Sequence, residues 1–197
     1  MELADISNME NDPILQRWFP WTTWPWIFNA PMFTVANGQM AVGVTKAGGI
    51  GMFFSSTRIR KKLLTPCSLL LGMVPAGIDP RPGSPHIAAL DQHLTVAGEL
   101  LHHDYSSQKA LPVGVGFTTL ASTAEIYQES AVPLLVKHKP AFVWLFGSDP
   151  SSYGKMISLF YSVGRDWDMK VFAQVGTVEA ALQVAPSWCG CRSRARG

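Results

Sequence analysis

The sequence predicts an α/β fold on a mostly parallel sheet, and three features carry that expectation. Apolar runs with strand character alternate with segments of helical spacing, the order from which parallel sheets are built. One run, residues 141–146 (A-F-V-W-L-F), is apolar throughout, as a strand covered on both faces must be. A composition of 47% hydrophobic and 15% charged residues over 197 positions is that of a globular chain, long enough for one domain with a sizeable core.

The elements follow in order. Residues 26–30 are a short apolar run ended by Pro31. Residues 38–46 space Met40, Val44 and the following Ala47 helically, and Gly48-Gly49 reads as the helix-stop turn rather than a phosphate cradle. Residues 50–54 make the second strand. Residues 55–85 are rich in Pro and Gly, with one apolar run, 68–74, that fits a strand or a buried turn. Helical periodicity returns at 87–101. Residues 111–117 (L-P-V-G-V-G-F) form the third strand, whose glycines predict close approach by a ligand or a neighbouring backbone.

Ser122 with Glu125 makes a capping box for a helix running to His138, and 141–146 is the fourth strand. Asp149-Pro150 starts a further helix, 170–175 is the fifth strand, and Gly176-Thr177 opens a last short helix at 178–184. Five strand-then-helix units result. Such units close into a barrel or lie open as a doubly wound sheet, and alternation alone does not decide. No strand is followed by G-x-G-x-x-G, which argues against the commonest open-sheet nucleotide fold.

Charge and cysteine content narrow the function. The net charge is +2, but Arg192, Arg194 and Arg196 supply +3 of it, leaving −1 for residues 1–185, which gives nucleic acid no basic footprint. Outside the last twelve residues the only cysteine is Cys67, so no disulfide framework is available and a reducing, cytoplasmic setting is expected. Glu2, Asp5, Glu10 and Asp12 precede any apolar run, unlike a secretory signal, and no stretch nears the ~20 apolar residues of a membrane span.

Trp18, Phe19, Trp21, Trp24 and Trp26 read as packing residues, because Pro20 and Pro25 interrupt any amphipathic membrane helix. His102 and His103 are adjacent with no metal-ligand spacing around them, His138 reads as part of a surface turn, and Cys189-x-Cys191 is too short for a zinc half-site. No metal is expected.

F-P-W-T (19–22), A-P-M (30–32), A-G-G-I-G (47–51), L-P-V-G-V-G-F (111–117), K-H-K-P-A-F-V-W-L-F (137–146) and V-F-A-Q-V-G-T (171–177) stand in an order and spacing that resembles the nitronate monooxygenase family, formerly 2-nitropropane dioxygenase, and most of all its fungal members. The resemblance covers roughly residues 19–185. It implies an FMN-dependent flavoprotein, an oxidoreductase that turns alkyl nitronates and dioxygen into carbonyl compounds and nitrite. The implied fold is a TIM-type (β/α)₈ barrel with its site at the C-terminal strand ends.

The resemblance lays Ala30, Pro31 and Met32 along the flavin ring. Independently, Pro31 stiffens that turn and the Met32 thioether suits a polarizable ring. It also places a flavin-contacting polar residue at Gln174, followed by Gly176, with Gly116 a weaker candidate for close approach to the cofactor. A neutral amide at Gln174 can tune a flavin through a ring nitrogen or oxygen.

The departure from the pattern is at the end of the chain. The family's catalytic histidine lies in a G-G-H motif after the sixth strand, and its phosphate turns follow the seventh and eighth; neither is in this sequence. The expectation is thus a partial barrel of about five β/α units over residues 1–185, with 186–197 an aberrant, unstructured tail. W-C-G-C-R-S-R, back-translated with freely chosen codons, reads G-A-D-V-V-Q-G after a one-base shift, compatible with a frameshift or a misplaced exon boundary. Genomic sequence lacking a downstream G-G-H in that frame would refute this. A five-unit barrel exposes an open edge, so catalysis is expected to be impaired and FMN binding weak. Two alternatives stay open: a non-catalytic fragment that pairs with a copy of itself or a full-length relative, and another FMN barrel such as an enoyl-thioester reductase.

Overall fold

The computed structural model describes residues 13–30, 32, 35–54, 80–118, 123–147 and 152–193. Pro31, Cys67, the run at 68–74, Ser122 and Asp149-Pro150 lie outside the described residues. The elements are α1 (Pro13–Trp18), α2 (Gly38–Lys46), β1 (Met52–Phe54), α3 (Pro85–Tyr105), β2 (Leu111–Thr118), α4 (Thr123–Ser130), α5 (Val132–His138), β3 (Pro140–Phe146), α6 (Tyr153–Val163), a 3₁₀ turn at Gly164–Trp167, β4 (Lys170–Ala173) and α7 (Val178–Ser193). The four strands form one sheet in chain order, each neighbouring pair parallel. Among the described residues no helix is long and apolar enough to cross a membrane.

Strand alternation sorts the side chains onto two faces. Phe53, Val113, Val115, Phe117, Val143, Leu145, Val171 and Ala173 pack with the helices in the main core, together with Leu90, Leu94, Tyr127, Leu135, Ile157 and Phe160. Within it the Phe117 ring sits 5.0 Å from both Tyr127 and Phe160. The other face carries Met52, Phe142, Trp144 and Phe172, covered by Phe19 from the loop after α1. Phe19 is fully buried, edge-on to Phe142 at 5.5 Å and stacked on Phe172 at 6.0 Å. The packing reading of the aromatic segment therefore holds for Phe19, while Trp18 and Trp24 keep 42% and 46% of their surface exposed.

The glycines serve three different purposes. Gly48 has φ +81°, the left-handed stop of α2. A Cβ at Gly51 would lie 1.9 Å from the Ala41 carbonyl, so helix and strand meet there backbone to backbone. A Cβ at Gly114 would lie 2.1 Å from the Phe142 ring. That glycine makes room for a core side chain rather than for a ligand.

Several elements differ from expectation. Residues 26–30 contribute only the bridge Phe28–Ile50 instead of a full strand. The helix expected to run to His138 is two helices, because Pro133 in the first turn of α5 has no N–H to continue the ladder of α4. His138 is the last residue of α5 rather than part of a loose turn. Its Nε2 lies 2.7 Å from Asp91 Oδ1, and Lys137 Nζ lies 2.9 Å from the same oxygen. Both contacts hold the Asp91 carboxyl below its ordinary range. The last helix runs on to Ser193 with Pro186 inside it, past the expected end at 184. Thr177 opens it as expected, its Oγ1 accepting from Ala180 N–H at 3.1 Å.

Candidate functional site

The sheet presents its uncovered polar groups at the C-terminal ends of the strands. The N-terminal segment leads in. Ile50 N–H donates to the Ile27 carbonyl at 2.8 Å, as a parallel ladder requires. One step on, a side chain replaces the backbone: Met52 N–H donates to Asn29 Oδ1 at 2.8 Å, and Asn29 Nδ2 donates to the Met52 carbonyl at 2.7 Å. The amide of Asn29, 8% exposed, thus stands in for a peptide group. The chain is free to leave the sheet at Ala30, which explains why the expected first strand shrinks to one bridge.

Beyond Asn29 the turn closes on itself. The Ala30 carbonyl accepts from Met32 N–H at 2.8 Å and from Asn29 Nδ2 at 3.1 Å. The Met32 carbonyl accepts from Val35 N–H and Ala36 N–H, and the Ala36 carbonyl accepts from Phe54 N–H at 2.9 Å, which lashes the loop to the end of β1. These backbone groups are satisfied within the turn. What Ala30 and Met32 offer outward is apolar surface, with the Met32 side chain 39% exposed.

At the far side of the sheet, Gln174 follows β4 and is held from three directions. Its N–H donates to the Leu145 carbonyl at 2.8 Å, its carbonyl accepts from Tyr153 Oη at 2.7 Å, and its Oε1 accepts from Trp144 Nε1 at 3.1 Å. An indole nitrogen only donates, so Oε1 must face Trp144 and the amide NH₂ faces away. Among the described residues that NH₂ has no partner. Gly176 is exposed, and a Cβ there would meet nothing within 4 Å.

Between these two sides lies β2. Gly116 pairs in register with Phe54 and Trp144, and the rings of Phe54 and Phe146 meet at 5.3 Å across this strand. Thr118, at the end of β2 and 9% exposed, has an Oγ1 that finds no partner among the described residues. A buried hydroxyl left so costs about 1–3 kcal/mol, a cost that a bound acceptor or donor would remove.

The structure therefore puts Gln174, Gly176, Gly116, Ala30 and Met32 at the C-terminal side of one sheet, the end where parallel α/β proteins bind ligands. Sequence reading missed Asn29, Thr118, Trp144 and Tyr153. For Asn29 the signal was a polar residue within an apolar run; for the others none exists, because their roles depend on partners far along the chain. A cavity of about 250 Å³ lined by His102, Tyr105, Lys109, His138 and Lys139 opens at the opposite end, beside the start of β2. It shares no residue with this group.

No family model matches the chain, and no solved structure matches it. Two fungal proteins do. A nitronate monooxygenase of Neurospora crassa is 33% identical over 184 residues, 87% of this chain and 42% of that protein. The nitronate monooxygenase npaC of Metarhizium robertsii is 27% identical over 187 residues, 94% of this chain and 44% of that protein. The chain spans less than half the length of these relatives.

Proposed function

Because the chain belongs to the nitronate monooxygenase family over the stretch it shares with these relatives, we propose that it binds FMN at the C-terminal ends of its strands and oxidises alkyl nitronates with dioxygen to carbonyl compounds and nitrite. The parallel sheet is read as an arc of a (β/α)₈ barrel whose interior is the face of Phe142, Trp144 and Phe172. The observation that carries the proposal is Gln174: its side-chain amide is oriented by Trp144 and its backbone is held by Tyr153, which leaves the exposed NH₂ open to a ligand beside an aromatic surface. The solvent-facing Gln174 donor and the buried, unpaired Thr118 hydroxyl fit a flat ring edged with acceptor atoms.

Bound FMN supplies the electron-accepting chemistry. The residues of this chain bind and orient. Ala30, Pro31 and Met32 offer an apolar edge to the ring, the thioether of Met32 packing on it. Gln174 donates to an acceptor on the ring, and Gly176, with open space where a Cβ would stand, lets the cofactor approach the backbone. Gly116 keeps the middle of the sheet free of a side chain. Phe54 and Phe146 line the site with apolar surface and exclude water. Nitronates already lack the α-proton, so these residues need supply no general base, and no G-G-H histidine stands in this sequence.

The test is reconstitution. The chain is mixed with FMN, freed of excess, and given propane-2-nitronate under air while dioxygen uptake and nitrite are followed. Nitrite formed with matching dioxygen loss supports the proposal. Bound flavin with no nitrite would leave a cofactor-binding protein without this reaction, and no bound flavin would remove the basis of the proposal.

A further inference from the structure

We propose that Trp144 is a positioning residue: by accepting no bond and donating one, it locks Gln174 with its oxygen inward and its NH₂ toward the ligand. This rests on the proposed FMN site. The indole Nε1 donates to Gln174 Oε1 at 3.1 Å and has no second role available, since an indole cannot accept. Its ring is itself fixed, stacked on Phe172 at 5.4 Å and 18° and flanked by Phe28 at 5.9 Å. The Gln174 backbone is fixed as well, through Leu145 and the buried Tyr153.

A free glutamine would lose rotamer entropy on binding and could present either end of its amide. The bond from Trp144 favours one rotamer and one sense of the amide before any ligand arrives. The site consequently selects an acceptor atom: a ring nitrogen or carbonyl oxygen of the flavin, or an oxygen of the nitronate. A ligand offering N–H or O–H at that point is disfavoured, because turning the amide over would set its NH₂ against the indole N–H.

The experiment has one readout without ligand and two with ligand. In the free protein, the Trp144 indole proton resonance, identified by its loss in Trp144→Phe, should shift upfield in Gln174→Ala; an unmoved resonance would overturn the lock whether or not flavin binds. FMN titration of the free protein forms the first ligand arm. Propane-2-nitronate titration of the FMN-loaded protein, followed by the flavin spectrum, forms the second.

If the acceptor is on the flavin, Trp144→Phe and Gln174→Ala each weaken FMN binding about fivefold, and the double variant is no weaker than Gln174→Ala alone. Gln174→Glu keeps the bond from Trp144 but offers the ligand only oxygen, so it should weaken binding more than Gln174→Ala while leaving the fold intact. The same pattern seen only in the nitronate titration assigns the acceptor to the substrate. Unchanged affinities in both arms would overturn the role of Trp144 while leaving FMN binding standing. A wild-type chain that binds no FMN would instead overturn the proposed function, and the acceptor assignment with it.

Discussion

The two faces of the sheet are built from the same strands by opposite rules. On the helix side, Val113, Val115, Phe117, Val143 and Leu145 interlock with α3, α5 and α6, and their burial is close to complete. On the other side, Phe172 of β4 is only partly buried, as is Trp144 of β3. Phe172 shares an aromatic layer with Trp144, Phe28 and Phe19, and the layer ends in polar groups with unpaired atoms. One face spends its residues on stability. The other keeps aromatic surface and one oriented amide, that of Gln174, available, the composition a planar ligand requires.

The comparison is broken most severely by emptying the first face. Phe117→Ala removes a ring packed against Tyr127 and Phe160, and should cost about 3–5 kcal/mol in urea unfolding, with FMN affinity lost only as far as folding is lost. Phe172→Ala should cost about half as much or less, because that residue is only partly buried, yet it should weaken FMN binding in protein that is still folded. Equal stability losses with no binding difference would remove the distinction between the faces.

A smaller effect is expected where the chain leaves the sheet. Asn29→Ala orphans Met52 N–H and the Met52 carbonyl together, an expected loss of about 2–3 kcal/mol. Asn29→Asp keeps the acceptor for Met52 N–H but points a second oxygen at the Met52 carbonyl, so the aspartate variant should not recover wild-type stability. Recovery by aspartate would mean that the amide is not acting as a peptide group. Urea midpoints of the three proteins decide it.

The smallest effect is a pH dependence at the rim of the helix face. His93 is pushed below its ordinary pKa by burial. Its Nδ1 accepts from Gly38 N–H at 3.4 Å at the start of α2, and its ring meets Phe53 edge-on at 5.4 Å. The unfolded chain takes up the proton more readily than the folded one, so this contribution is present above about pH 6.5, the ordinary histidine value. It is lost progressively as the pH falls below that value. Thermal melts at pH 7.5 and pH 5.5 should differ more in wild type than in His93→Gln. Equal differences would place the pH dependence elsewhere.

How much of this was legible follows the range of the interactions. The run 141–146, the helix at 38–46 with its glycine stop, and the strand at 111–117 were readable because periodicity and stop residues are local signals. The break between α4 and α5 was also local, at Pro133, yet the apolar period on either side masked it. The purpose of Gly114 was not legible, since it depends on the Phe142 ring twenty-eight positions away. The same holds at the site. Gln174 stood out by its place after a strand, whereas Trp144 reads as one more apolar residue until the parallel register sets it opposite Phe172 and within reach of the amide. Asn29 looked like the tail of a strand, and only the geometry of Met52 reveals a side chain doing a backbone's work.

The most direct test of the central claim is an equilibrium titration of the purified protein with FMN, read by quenching of flavin fluorescence, on wild type and on Gln174→Ala in parallel. The account predicts saturable one-to-one binding by the wild type and about fivefold weaker binding by the variant. Saturable binding that is identical in the two proteins would contradict Gln174 as a flavin contact, and the absence of binding in wild type would contradict the cofactor itself.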